Sequence, residues 1–407
     1  MLNTIRAERR FSRILLAFFI SKIGDGVHEL IFFLLSIQLA KNNPTALSWV
    51  YFFRFAPYLV FGPIGGGIAD RHNCKTLMLL SDGVRCALVL VLDGLGHTEH
   101  LTLTELTVLG FLMTSFRTVF QPAFQATIPR VVSDTNRVAG NALVQLCTEL
   151  GALIGPAVAG MLLLTISRIN VLVIDAASYA LGFAIIASTK IPHDISDIKR
   201  SYWSYFEDLL NTVREIANNK SLFAVILVSG GSVLAVGASL RILIPMQARL
   251  SLPGDTFVGF VLASVSAGTV AGAFLASRFL AAVNASKLAW FWFLYGVVLM
   301  MLCLSGRPLV LMLATFVLGV VGAFVDIAIT TCIQNLANRD SIGKTFSFFS
   351  TAANAGEAMS PFVATAILSI FSLKAALGLS GLLVLVFVGM GFLVLQSDAR
   401  SATEGLR

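Results

Sequence analysis

Residues 14–40 read ILLAFFISKIGDGVHELIFFLLSIQLA. A run of about 20 mostly apolar residues is enough to cross a bilayer core as a helix, and this one carries Asp25 and Glu29 near its middle. A carboxylate at bilayer depth is costly unless it faces a partner or a water-filled cavity, so it marks a functional site by default. The two carboxylates are four residues apart and share one helical face. Lys22 and His28 fall in the same neighbourhood. The stretch therefore reads as a spanning helix bordering a polar path, in a chain that should contain more such helices.

Eleven further apolar runs follow. Together the spans are 14–38, 47–69, 76–96, 102–126, 138–164, 169–189, 221–248, 256–277, 288–305, 308–334, 345–371 and 375–396. Of 407 residues, 57% are hydrophobic and 13% charged, against about 25% charged in a soluble domain. The mean hydropathy is +0.84. Lipid is the solvent such a chain requires, and in lipid the backbone must satisfy its own hydrogen bonds within helices. The expected class is an all-α integral membrane protein.

The formal net charge of +7 suggests nucleic acid only until the basic residues are placed. With both termini inside, the cytoplasmic segments hold nineteen Lys and Arg and the external ones five. That bias alternates loop by loop, as the positive-inside rule requires for an even number of spans. No basic run with interleaved aromatics appears, so no nucleic-acid partner is expected. The orientation implies a multi-pass membrane protein with both termini cytoplasmic.

The expected organisation is a six-helix bundle over 1–190, a cytoplasmic linker over 191–219 and a second six-helix bundle over 220–407. Within the linker, Trp203, Phe206, Leu209, Leu210, Val213 and Ile216 form one apolar stripe, the pattern of an interfacial helix tethering two halves. The halves look duplicated. Ala69-Asp70-Arg71 is answered by Ala276-Ser277-Arg278, 207 residues on, and Gly155-Pro156 by Ser360-Pro361, 205 residues on. Two matches at nearly one offset suggest pseudo-symmetric bundles, with a site near the midplane between repeats.

Several charges fall inside spans. Arg117 lies about 15 residues, roughly 22 Å, from the outer end of span four, while Asp25 is about 11 residues, roughly 16 Å, into span one. Asp25 and Glu29 are the natural partners of Arg117; the bland alternative is a static structural network. Glu149 in span five and Glu357 in span eleven are also expected near the midplane. Asp175, Asp326 and Arg241 are ambiguous, each open to a helix-end pair. Asp82 and Arg85, three apart, read as a structural pair.

Other motifs are quickly bounded. Cys74, Cys86, Cys147, Cys303 and Cys332 form no C-x-x-C pair, which argues against a disulfide framework. Gly343-Lys344-Thr345 lacks the glycine a phosphate-binding loop needs, Asn338 standing there. No H-E-x-x-H or G-x-S-x-G occurs. An enzyme is therefore not expected, nor a cofactor or metal; energy would come from an ion gradient or from the substrate's own.

Between spans two and three the chain reads Gly65-Gly66-Gly67-Ile68-Ala69-Asp70-Arg71-His72-Asn73-Cys74-Lys75. Gly66, Asp70, Arg71 and Lys75 match the loop signature G-x-x-x-D-R-x-G-R-[RK], which is similar to that of the major facilitator superfamily. Asn73 stands where the family has Gly, acceptable if that position is left-handed, and Cys74 replaces a basic residue. In span five, Gly151, Gly155, Pro156 and Gly160 make a smooth packing face that resembles the superfamily's antiporter motif, G-x-x-x-G-P. Pro57-Tyr-Leu-Val-Phe-Gly-Pro63 and Ile342-Gly-Lys-Thr-Phe-Ser347 resemble the branch of macrolide efflux proteins and the enterobactin exporter.

The resemblance implies twelve helices in two bundles in the cytoplasmic (inner) membrane, no cofactor beyond a proton gradient, and a monomer working by alternating access. It implies export of amphipathic drug-like or siderophore-like molecules by proton antiport. Asp25, Glu29, Arg117, Glu149 and Glu357 would line a central cavity, and Gly66, Asp70, Arg71 and Lys75 a cytoplasmic gate. Import or uniport of a metabolite or lysolipid is the competing reading.

Overall fold

A computed structural model describes residues 7–41, 43–98, 100–133, 136–192, 212–252, 254–279, 283–337 and 342–404; the side chains of 62–71, 138, 277–279, 342, 343, 347 and 397–404 are outside the description. The described residues are helical throughout, with short connections and no strand. The helices are α1 (Arg9–Leu39), α2 (Pro44–Arg71), α3 (Cys74–His97), α4 (Leu103–Val131), α5 (Arg137–Leu162) and α6 (Arg168–Ser188), then α7 (Lys220–Ala238), α8 (Ile244–Ser251), α9 (Thr256–Phe279), α10 (Ala285–Met301), α11 (Pro308–Leu336), α12 (Ile342–Leu368) and α13 (Leu373–Glu404). A π-helical turn, Ser239–Leu243, joins α7 to α8 in one continuous element. Each of the twelve spans read from hydropathy coincides with one helical element.

Among the described residues, eight elements pass a strict length and apolarity test for crossing a membrane. α1 and α3 are absent from that set because charges interrupt their apolar windows: Lys22, Asp25 and Glu29 in one, Asp82, Arg85 and Asp93 in the other. At most 56% of any passing window is buried within the protein, so the rest of each helix presents apolar side chains outward. Phe274, Leu304 and Leu393 are among those left exposed. Such a surface is stable only against lipid.

Helix starts follow from local chemistry. The Thr102 hydroxyl accepts from the Glu105 amide while the Glu105 carboxylate accepts from the Thr102 amide, a capping box that begins α4. Ser167, Asn219 and Asn284 cap α6, α7 and α10. Asn73 caps α3, its Oδ1 accepting from the amides of Lys75 and Thr76, at φ −64° and ψ 112°. The expectation of a left-handed residue there is thus corrected: the side chain is kept for its cap, and Gly would lose that acceptor. Asn73→Ala should lower stability by about 1 kcal/mol, read as a melting-temperature shift with α3 intact beyond its first turn.

The chain divides into two compact units, residues 1–199 with 254–266, and residues 200–253 with 267–407. In the first, α1 packs on α5 and α6, α2 on α4, and α3 on α4 and α6. In the second, α7 packs on α12 and α13, and α10 on α11 and α13. Shifted by six spans, the pairings of α1 and α3 recur in those of α7 and α10, which is the internal signature of a duplicated six-helix bundle. The first unit's core holds Phe18 stacked on Phe124 at 4.2 Å, with Phe11, Ile14, Met78 and Phe120 around them. Near its terminal end, Glu8 Oε1 accepts from the amide and hydroxyl of Ser133 and from Asn136, and these donors hold its carboxyl below the usual range. The linker stripe from Trp203 to Leu210 lies outside the described residues; 212–218 are helical.

Candidate functional site

α1 brings Asp25 to the crossing of four helices because glycines remove the bulk around it. A Cβ on Gly24 would collide with Ser178 and come 2.8 Å from Asp175 Oδ1, so only glycine lets α6 approach α1 there. Gly182 on α6 performs the same service toward Ser21, at 2.7 Å.

In that space Asp25 is a hub. Tyr179 donates its hydroxyl to Oδ1 at 2.7 Å, and Arg85 Nη1 reaches the same oxygen at 3.4 Å. Lys22 donates to Oδ2 at 2.9 Å, and Arg117 Nη2 stands 3.9 Å from it. Arg85 also pairs with fully buried Asp82, and its guanidinium lies 4.3 Å from the Tyr179 ring centre. Three cations thus converge on two carboxylates. The expected Asp25–Arg117 pairing is present, with Arg117 39% exposed.

Glu29 has a second partner besides the expected one. It accepts from Arg54 Nη2 of α2 at 2.7 Å and also acts electrostatically on Arg117. On α2, the Arg54 guanidinium sits 3.9 Å from the centre of the Phe32 ring. Charge and quadrupole hold that arginine together. His28, between Asp25 and Glu29 in sequence, turns to α6: its Nδ1 lies 3.0 Å from Asp175 Oδ2, without hydrogen-bond alignment. Asp175 therefore belongs to an interior pair, not to a helix end.

The remaining candidates divide. Glu149 accepts from Gln145 one turn away on α5, at 2.8 Å. Glu357 on α12 accepts from Arg241 at 2.7 Å within the second unit. Arg241, left open to a helix-end pair by the sequence, thus pairs with Glu357, and the π turn that carries it re-aims it out of the regular helical register. Lys75 Nζ donates to the carbonyls of Ala187 and Thr189, closing the end of α6. The backbone of Gly66, Asp70 and Arg71 is helical, and their side chains lie outside the described residues.

The α5 motif lies against α1. A Cβ on Gly155 would meet Ile23 O at 2.5 Å and Gly26 Cα at 2.7 Å; one on Gly151 would meet Lys22 Cβ at 2.5 Å. A Cβ on Gly26 would stand 2.9 Å from Pro156 Cδ, so the crossing is tight from both sides. Gly160 approaches Thr256 and Gly259 of the first unit, a Cβ there meeting Thr256 O at 2.9 Å. Among the described residues no group of three His, Cys, Asp or Glu is placed to hold a metal. The Asp82–Arg85 pair read from its three-residue spacing is present, but its reach to Asp25 was not foreseen. Lys22, Arg54 and Tyr179 are site residues that sequence reasoning did not pair, and of these Lys22, three residues before Asp25, left a local signal.

Comparison with known proteins agrees with this architecture. The family model described as Major Facilitator Superfamily matches residues 14–283. Macrolide efflux protein A of Streptococcus pyogenes is 24% identical over 187 residues, 46% of this chain and 46% of that protein, so the chain spans about half the length of such relatives in the match. The lysophospholipid transporter LplT of Salmonella arizonae is 24% identical over 98% of this chain and 96% of its own. A crystal structure of the nucleoside transporter NupG, a D323A mutant, superposes with a TM-score of 0.77 at 13% identity, covering 95% of this chain and 99% of that one. At that identity the likeness shows the fold alone.

Proposed function

Because the chain belongs to the major facilitator superfamily, and is a multi-pass membrane transporter and not an enzyme, we propose that it exports amphipathic drug-like or siderophore-like molecules by proton antiport through alternating access. The observation that carries this reading is the charge cluster around Asp25, set in the first unit among otherwise apolar helices. A network confined to holding helices together needs few charges, because small residues and dispersion suffice in lipid. Ionisable groups kept inside a membrane at such cost are the usual mark of a proton or substrate path. The tight α1–α5 crossing at Gly151, Gly155 and Pro156 supports the antiporter reading, as do the efflux relatives.

On this reading no cofactor is used beyond the proton gradient, and the protein acts as a monomer in the cytoplasmic membrane with both termini inside. Gly66, Asp70, Arg71 and Lys75 gate the cytoplasmic mouth, while Glu149 and Glu357 contribute to the central path. The bundles 1–190 and 220–407 rock about the 191–219 linker. The second reading, lysophospholipid movement, is favoured by one observation: the alignment to the lysophospholipid transporter runs nearly end to end.

Everted vesicles separate the two. Respiring vesicles carrying the protein should accumulate radiolabelled erythromycin, and collapse of the pH gradient by nigericin should abolish that accumulation. Accumulation indifferent to nigericin removes proton antiport. Uptake of a fluorescent lysophosphatidylethanolamine in place of erythromycin supports the second reading.

A further inference from the structure

Coupling requires a group that gains and loses a proton, and the two carboxylates first in line are poorly placed for it. Both oxygens of Asp25 are engaged, by Tyr179, Arg85, Lys22 and Arg117. A proton there would take from three cations the carboxylate they share. Glu29 balances Arg54, whose side chain is only 7% exposed. A proton there would strand that arginine inside the protein.

Asp175 differs. It is fully buried on α6, and neither carboxylate oxygen makes a hydrogen bond among the described residues. Its ion-pair neighbour is His28 on α1, at 3.0 Å, itself titratable and 4% exposed. One proton shared between ring and carboxyl leaves the pair without net charge, whichever atom holds it. Loss of that proton leaves a net negative charge, and a second proton leaves a net positive one.

The pair also adjoins the hub. The groups acting on Asp175 are Asp25 and His28 from α1 and Arg85 from α3, with Cys86 of α3 and Tyr179 of α6 within its electrostatic reach. Cys86 donates its thiol to the Ala176 carbonyl, one residue on, and Asp82 acts on the same thiol. Arg85 is the one permanent cation in this set. A negative charge appearing on the pair competes with Asp25 and Asp82 for that guanidinium, and so pulls on the contacts joining α1, α3 and α6.

We propose that His28 and Asp175 form a membrane-embedded proton-binding pair, and that this pair, not Asp25 or Glu29, carries the proton exchanged for substrate. The proposal rests on the antiport reading. One proton enters the pair from one side of the membrane and leaves to the other, while Asp25 and Glu29 stay ionised. Arg85 reports the pair's charge to the hub. The conformational equilibrium then shifts because the two proton states differ in their hold on α3.

The test uses the full chain reconstituted in liposomes. Infrared difference spectra recorded through a pH titration should show the carbonyl stretch of a protonated buried carboxyl. That band should be lost in Asp175→Asn, and its midpoint shifted in His28→Gln. In the same liposomes, flux of erythromycin driven by a pH gradient should be lost in both variants, while erythromycin exchange at equal pH persists. A band indifferent to Asp175→Asn, or gradient-driven flux retained in it, overturns the proposal. If Asp175→Asn does not fold, His28→Gln decides by the same two readouts: an unshifted midpoint with gradient-driven flux retained overturns it. If the unaltered protein ignores the pH gradient while its band still tracks Asp175, the antiport reading fails and the proton-binding pair stands.

Discussion

Asp25→Asn abolishes transport and lowers the melting temperature of the purified protein more than any other single change in the charge cluster. Asparagine fills the same volume and still accepts from the Tyr179 hydroxyl, so packing is preserved and the charge alone is removed. Lys22, Arg85 and Arg117 then lose the carboxylate they share, Arg85 keeping Asp82 and Arg117 the field of Glu29. Removing one partner of a buried ion pair costs about 3–5 kcal/mol in soluble proteins, and an unpaired Lys or Arg at mid-helix costs about 2.5–3.5 kcal/mol on insertion scales. A second change separates charge from shape. Lys22→Met added to Asp25→Asn deletes one stranded cation and should return part of the stability, a non-additivity expected of groups in one network. Transport should not return, because Arg85 and Arg117 still lack their shared anchor. Glu29→Gln is the milder comparison, since Glu29 is 30% exposed and compensates one arginine. Unchanged melting and unchanged erythromycin flux in Asp25→Asn would show that the hub is ornamental. Both quantities are read on the same preparation, by size-exclusion survival after heating and by liposome flux.

The sequence disclosed the helices far better than it disclosed their partners. Every span was visible because a bilayer forces about 20 apolar residues into each helix, a constraint local to the chain. α1 was legible despite Asp25 and Glu29, since their flanks are unbroken apolar runs. The Asp25–Arg117 contact followed from depth counting, which needs only the rise per residue. Azimuth is another matter. Asp25 and Glu29 share a face, yet one meets α3, α4 and α6 and the other meets Arg54 of α2, because the helices beside α1 change over a single turn. No sequence pattern in α2 marks Arg54 as the partner of Glu29. His28 and Asp175 were hidden for the same reason: 147 residues separate them, and only the glycine at position 24 hints that α1 is closely approached there. Asn73 was read through the family's glycine, which suggested a backbone role, whereas its amide oxygen does the capping.

Gly155→Leu prevents assembly of the first bundle, and Gly155→Ala weakens it measurably. The reason lies in what surrounds the position. A Cβ there meets Ile23 O at 2.5 Å, Gly26 Cα at 2.7 Å and Gly26 C at 2.8 Å. All three are backbone atoms of α1, so no rotamer change relieves the clash and the helix axis itself must move. Overpacking a dense interior costs about 1–3 kcal/mol even where side chains yield; here the whole helix yields, and Asp25 rides on it. Displacement of α1 away from α5 alters Asp25's distances to Arg85 and Tyr179, so Gly155→Ala should depress transport as well as stability. A reciprocal change sharpens the reading. Gly26→Ala places its Cβ 2.8 Å from Gly151 O and 3.1 Å from Gly155 Cα, hitting the same crossing from the other side. Once α1 has been pushed away by one methyl, the second meets a gap already opened, so the double variant should lose less than the sum of the singles. Additive losses, or a Gly155→Leu protein that melts and transports as the parent does, would mean that α1 and α5 do not cross there as tightly as their glycines permit.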